Sequence, residues 1–92
     1  MTEEELIQRG HDARHVLENK MYAESYDMVD RKLVDLLRSA DLAADKRARI
    51  NDLLVMGSKY RRFLEHAMQE GNVLLDELER KRTFRDKILR RA

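Results

Sequence analysis

Between Ile50 and Leu78, apolar and small residues fall at Ile50, Leu53, Gly57, Tyr60, Leu64, Ala67, Gly71, Leu74 and Leu78, in alternating steps of three and four. That is a heptad seam held over four repeats, the pattern of one helix lying along another. Gly57, Ala67 and Gly71 are small, so a partner backbone can come close at those levels. The other six positions must then supply most of the apolar contact. The seam defines a packing element and names no reaction.

The rest of the composition agrees with helix. The chain has 92 residues, no proline, no cysteine, three glycines and 40 % charged side chains. Good helix formers recur and turn chemistry is scarce. The length is that of one domain with a modest core, and without cysteine no disulfide can staple it, so association with another chain would help. Lack of cysteine also fits a reducing, cytoplasmic compartment. Met1-Thr2-Glu3-Glu4-Glu5 is acidic and has no apolar h-region, so a signal peptide is not expected. No uncharged apolar run approaches the roughly 20 residues of a membrane span, and no membrane partner is expected.

The net charge of +1 hides an asymmetry. Residues 1–79 carry 12 basic and 17 acidic side chains, a net of −5. Residues 80–92 carry seven basic side chains and only Asp86 against them, a net of +6. An acidic body ends in a basic arm.

Thr2 and Glu5 form a capping box, and Glu3, Glu4 and Glu5 suit the positive end of a helix dipole. They predict a first helix over 3–18. Asn19 competes for backbone hydrogen bonds and caps well, so this point is open between a break and a kink. From Tyr22 the stripe Tyr22, Tyr26, Val29, Leu33, Leu36 and Ala40 predicts a first arm over 20–38 with one buried side. Ser39–Asp45 is the loop candidate, short enough to join antiparallel neighbours. The second arm is expected over 46–81. Gly71-Asn72 is its weak point, but the seam keeps register there, which predicts continuation. Residues 82–92 read as a basic helical arm or an extension of the helix. The fold class is therefore all-α. It is a long antiparallel helical hairpin with a coiled-coil-like seam, an additional N-terminal helix and a basic C-terminal helical arm.

Few residues suggest chemistry. His11 and His15 share one helical face at the spacing of a zinc-protease motif, with Asp12 where that motif has glutamate. Glu18, one turn on, and His66, on the other arm, are the candidate third ligands, but a shorter acid and the lack of a substrate-binding strand favour a solvated face, so no metal or cofactor is expected. Ser25, Ser39 and Ser58 are isolated, and no glycine-rich loop could cradle phosphate. No enzyme activity and no small-molecule substrate are expected. Tyr22, Tyr26, Tyr60 and Phe63 lie on or beside the apolar stripes as core side chains. Leu53-Leu54-Val55-Met56 is four consecutive apolar residues, more than one helical face can bury. Leu54, Val55 and Met56 are accordingly the expected oligomer interface. In the arm, Arg80, Lys81, Arg82, Phe84, Arg85, Lys87, Ile88, Leu89, Arg90 and Arg91 are the expected partner-binding set, with Phe84, Ile88 and Leu89 as apolar anchors. The partner is open between an acidic protein surface and nucleic-acid phosphates.

Arg9-Gly10-His11-Asp12-Ala13-Arg14-His15-Val16-Leu17-Glu18-Asn19 resembles a pattern in a group of small helical proteins of tailed bacteriophages. They have an Arg-Gly-x-x-Ala start, an apolar pair and Glu-Asn before a long amphipathic helix, with a late Glu-Gly matched here by Glu70-Gly71. This chain has Lys20 where the group tends to have proline, and it lacks their tryptophan. Such proteins are commonly encoded among head and packaging genes. The resemblance implies a virion structural or assembly protein, in the host cytoplasm or the virion, that forms a homo-oligomer or docks on a larger viral protein. The alternatives are a packaging accessory that holds nucleic acid with its basic arm, and a phage inhibitor of a host protein.

Overall fold

The computed structural model describes residues 1–91. The described residues form three helices and no strand: α1 over Glu3–Glu18, α2 over Lys20–Leu37 and α3 over Ala44–Arg91. No described helix is long and apolar enough to cross a membrane.

α1 begins at the predicted cap. The Thr2 hydroxyl accepts a hydrogen bond from the Glu5 amide at 3.1 Å, a contact worth about 1 kcal/mol to a helix. Asn19 ends α1 and starts α2 within one residue. Its backbone is extended, at φ −67° and ψ 121°, and its side-chain oxygen accepts from the Tyr22 amide at 3.0 Å. The question left open at this position is resolved as a break, because the asparagine caps the second helix rather than extending the first. α2 ends at Leu37, and Arg47 fixes the turn beyond it. Its guanidinium donates to the Leu37 carbonyl at 2.8 Å and to the Ser39 carbonyl at 3.2 Å.

α3 is 48 residues long, about 72 Å at 1.5 Å per residue. It starts at Ala44, two residues before the expected Lys46, and runs through Gly71 without a break. It also runs through the expected boundary between residues 81 and 82. Nothing after Leu78 breaks a helix: the segment has neither glycine nor proline, and the Thr83 hydroxyl turns back to the Glu79 carbonyl at 2.9 Å. The basic residues from Arg80 to Arg91 thus belong to the outer end of α3 and are exposed.

α1 crosses α3 at glycine. A Cβ placed on Gly10 would stand 2.9 Å from the Gly71 Cα and 3.0 Å from the Ala67 carbonyl oxygen. A Cβ on Gly71 would stand 2.9 Å from the Gly10 Cα. Only hydrogens at Cα let these backbones meet. Ala13 and Ala67 are buried beside the crossing. Leu6, Ile7, Leu17, Leu64, Met68, Leu74 and Leu75 are half-buried on the two helices.

The whole is a thin rod of 76 × 24 × 18 Å. Its radius of gyration is 20.7 Å, where a compact chain of this length would give about 12 Å. Its only buried apolar side chains, among the described residues, are Ala13, Ile50 and Ala67.

Candidate protein-interaction face

The nine seam positions divide along α3. Ile50, Gly57, Leu64, Ala67, Gly71 and Leu74 are buried or half-buried, while Leu53, Tyr60 and Leu78 are exposed. α2 is responsible for the upper split. After the break at Asn19 it lies against a neighbouring strip of α3, where Ile50, Leu54, Gly57 and Arg61 are the residues that lose solvent. The Arg61 guanidinium stacks over the Tyr26 ring at 4.9 Å from its centre and bonds Glu65 at 3.2 Å. This strip shares Ile50 and Gly57 with the seam but has Leu54 and Arg61 where the seam has Leu53 and Tyr60, and its polar member Arg61 hid it in the apolar pattern. Leu78 stays exposed because α1 begins at Glu3, and Leu6 already stands at the level of Val73 and Leu74.

On the other edge of this stretch the seam residues Leu53 and Tyr60 stand bare beside Met56 and Phe63. Leu53, Met56, Tyr60 and Phe63 are 53 %, 66 %, 65 % and 55 % exposed. Their spacing of three, four and three puts them on one stripe of α3. The sequence reading marked Leu54, Val55 and Met56 as the interface. The structure turns Leu54 inward against α2 and leaves Val55 and Met56 out. Tyr60 and Phe63, expected in the core, join Met56 on the outside instead.

An open groove of about 260 Å³ lies between α2 and α3, walled by Tyr22, Tyr26, Val29, Leu33, Leu53, Leu54 and Gly57. It continues to Met56 and Tyr60. No residue of α2 is fully buried. Tyr22 and Tyr26 stack at 6.2 Å between ring centres. The Tyr22 hydroxyl oxygen is buried without a hydrogen-bond partner. Burial raises its phenol above the ordinary value of 10.0, against a smaller opposing pull from Arg61. At the lower edge of the stripe, the Arg9 guanidinium covers the Phe63 ring at 4.8 Å from its centre.

The remaining candidates are scattered. His11, His15 and His66 are exposed. Among the described residues, no three His, Asp or Glu side chains are placed to hold a metal ion. The arm's basic side chains, Arg80, Lys81, Arg82, Arg85, Lys87, Arg90 and Arg91, point to all sides of the helix, so they do not form one phosphate-facing row. Phe84, Ile88 and Leu89 are exposed among them. No protein family, no curated protein and no solved structure matches the chain.

Proposed function

We propose that this chain is a non-enzymatic helical docking protein, a long antiparallel hairpin with a half-filled coiled-coil-like seam, that works by lending its open seam to a partner. One observation carries the reading. Four large apolar side chains in register, Leu53, Met56, Tyr60 and Phe63, stand in solvent beside an apolar groove on a chain with almost no core of its own. A contiguous apolar patch of that kind marks an interaction site. The resemblance to tailed-phage head and packaging proteins makes virion assembly the setting, with the partner another copy or a larger viral protein. The basic end of α3 is then a secondary contact that meets an acidic protein surface or nucleic-acid phosphates.

The test uses the full chain expressed in its native host. It should co-purify with itself or within a larger assembly. Met56→Glu should lower the mass of that species on light scattering and leave the helix signal in circular dichroism unchanged. A monomer whose associations are indifferent to Met56→Glu overturns the reading. Binding that instead depends on residues 80–91 and falls steeply with salt would move the function to nucleic acid.

A further inference from the structure

The outer end of α3 carries its charge in a pattern, and from it we infer that residues 80–91 bind duplex DNA by lying in the major groove. This deepens the docking reading, on which the arm's place as a second contact rests.

α3 is unbroken here, so successive residues turn by about 100°. Arg80, Lys87 and Arg91 then share one flank of the helix, within an arc of roughly 40°. Lys81 and Arg85 share a second flank, about 120° round from the first. Phe84 and Ile88 lie between the two flanks. Asp86 lies opposite them, four residues from both Arg82 and Arg90, a spacing at which opposite charges attract. Glu79 shares that reverse side. The arm is therefore two cation rows astride an apolar strip, with its acids behind.

Nothing else packs on this stretch. Leu75 is the last residue of α3 that loses solvent, and every residue from Asp76 to Arg91 is exposed. A helix seated on a protein body offers one side, whereas this one offers both flanks over about 18 Å. The major groove of B-form DNA is about 12 Å wide and admits a helix between two phosphate-lined walls. One cation row then faces each wall. The apolar strip faces the floor, where thymine methyl groups are its apolar partners. Asp86 and Glu79 face away from phosphate. Glu77, on the strip side at the base of the arm, sets the limit of the contact.

Other anionic partners fit this pattern less well. A helix held in a protein groove is read through apolar anchors at i, i+3 or i+4, and i+7. Here the strip stops at Phe84 and Ile88, because Lys81 and Arg91 occupy the next positions along it and Leu89 stands about 100° round from Ile88. A membrane surface needs a broader apolar face than two side chains. DNA needs little apolar contact, because phosphates supply most of the affinity.

The test is the anisotropy of a short mixed-sequence DNA duplex with the full chain, titrated with salt. The row cations Arg80, Lys81, Arg85, Lys87 and Arg91 should give a slope of about −4.5 in log K against log salt. Arg85→Gln and Lys87→Gln, one from each row, should each make that slope shallower by about one. Arg82→Gln and Arg90→Gln, on the reverse side, should change it far less. All four side chains are exposed, so the fold should stand in each variant. Equal losses at all four would mean undirected charge and overturn the inference. So would binding to poly-glutamate or to phosphatidylserine vesicles as tight as to the duplex. No duplex binding at low salt, with partner association still lost on Met56→Glu, removes the inference and leaves the docking reading standing. Duplex binding with the expected slopes, in a chain whose associations are indifferent to Met56→Glu, supports the inference and removes the docking reading.

Discussion

The two halves of α3 carry the same heptad and meet different fates. Over residues 64–75 the seam is closed by α1, with glycine against glycine and alanine on either side. Over residues 50–63 it is only half closed, because α2 covers Ile50 and Gly57 of the seam together with Leu54 and Arg61 and leaves Leu53 and Tyr60 in solvent. Side-chain size explains the contrast. Where both helices present small residues, backbones touch and the crossing is specific. Where α2 presents Tyr22 and Tyr26 to an arginine, the helices stand off and leave a groove.

The strongest way to break this contrast is to fill the closed half. Gly71→Ala puts a methyl carbon 2.9 Å from the Gly10 Cα and 3.2 Å from the Leu6 carbonyl oxygen, both backbone atoms that cannot step aside. Overpacking should outweigh the gain in helix propensity and lower stability by about 1–3 kcal/mol. Urea denaturation checks this, and an unchanged midpoint would mean the helices do not touch there. Asn19→Ala tests why α2 leaves the seam. Losing the cap on the Tyr22 amide should cost about 1 kcal/mol, with helix content unchanged or slightly raised as α1 and α2 fuse. A stabilised variant would show that the break is not set by this cap.

Gly57→Ala is the mirror of Gly71→Ala. A Cβ at Gly57 would have no heavy atom within 4 Å, so the substitution should gain up to about 1 kcal/mol from propensity alone. A loss would mean that α2 closes over this glycine in solution. Tyr22→Phe is the smallest change. It removes a buried hydroxyl without a partner and should be neutral or stabilising by a few tenths to about 1 kcal/mol. The phenol is raised in the folded state, so its contribution is fully present below the unfolded value near pH 10. It is lost as pH climbs through the folded value. Melting curves of wild type should fall more steeply above pH 10 than those of the variant.

Much of the frame was legible in the sequence. Thr2 and Glu5 marked the start of α1, Ser39–Asp45 the turn and Gly71 the close approach, each because one residue type meets one backbone requirement, while Asn19 marked a point that the sequence left open between a break and a kink. What the heptad could not tell was its occupant. Periodicity locates a stripe on a helix but not which neighbour lies on it. Here two neighbours share the length at different angles, divided by a single extended residue. Arg61 and Met68 line the contact without an apolar signature or a place in the seam. Whether residues 82–92 form a separate helix or extend the long one was open in the sequence for another reason. The charge changes sharply at Arg80 while the backbone propensity does not change at all, and helix termination follows propensity.

The Arg47 clasp bears on the order in which the molecule assembles. It joins α3 to carbonyls only eight and ten residues earlier, a small loop to close. Gly10 must find Gly71 across most of the chain. The turn and the loosely packed α2–α3 pair should therefore form early, and the tight crossing late. Pulse-labelled amide exchange during refolding should protect residues around the turn before those of α1, and the reverse order would place nucleation at the glycines. On the ribosome the effect is larger. α1 is made before α3, and it has nothing to lie against until the chain has been synthesised past Leu75. Through the synthesis of α2 and most of α3 it waits with its small-residue face uncovered.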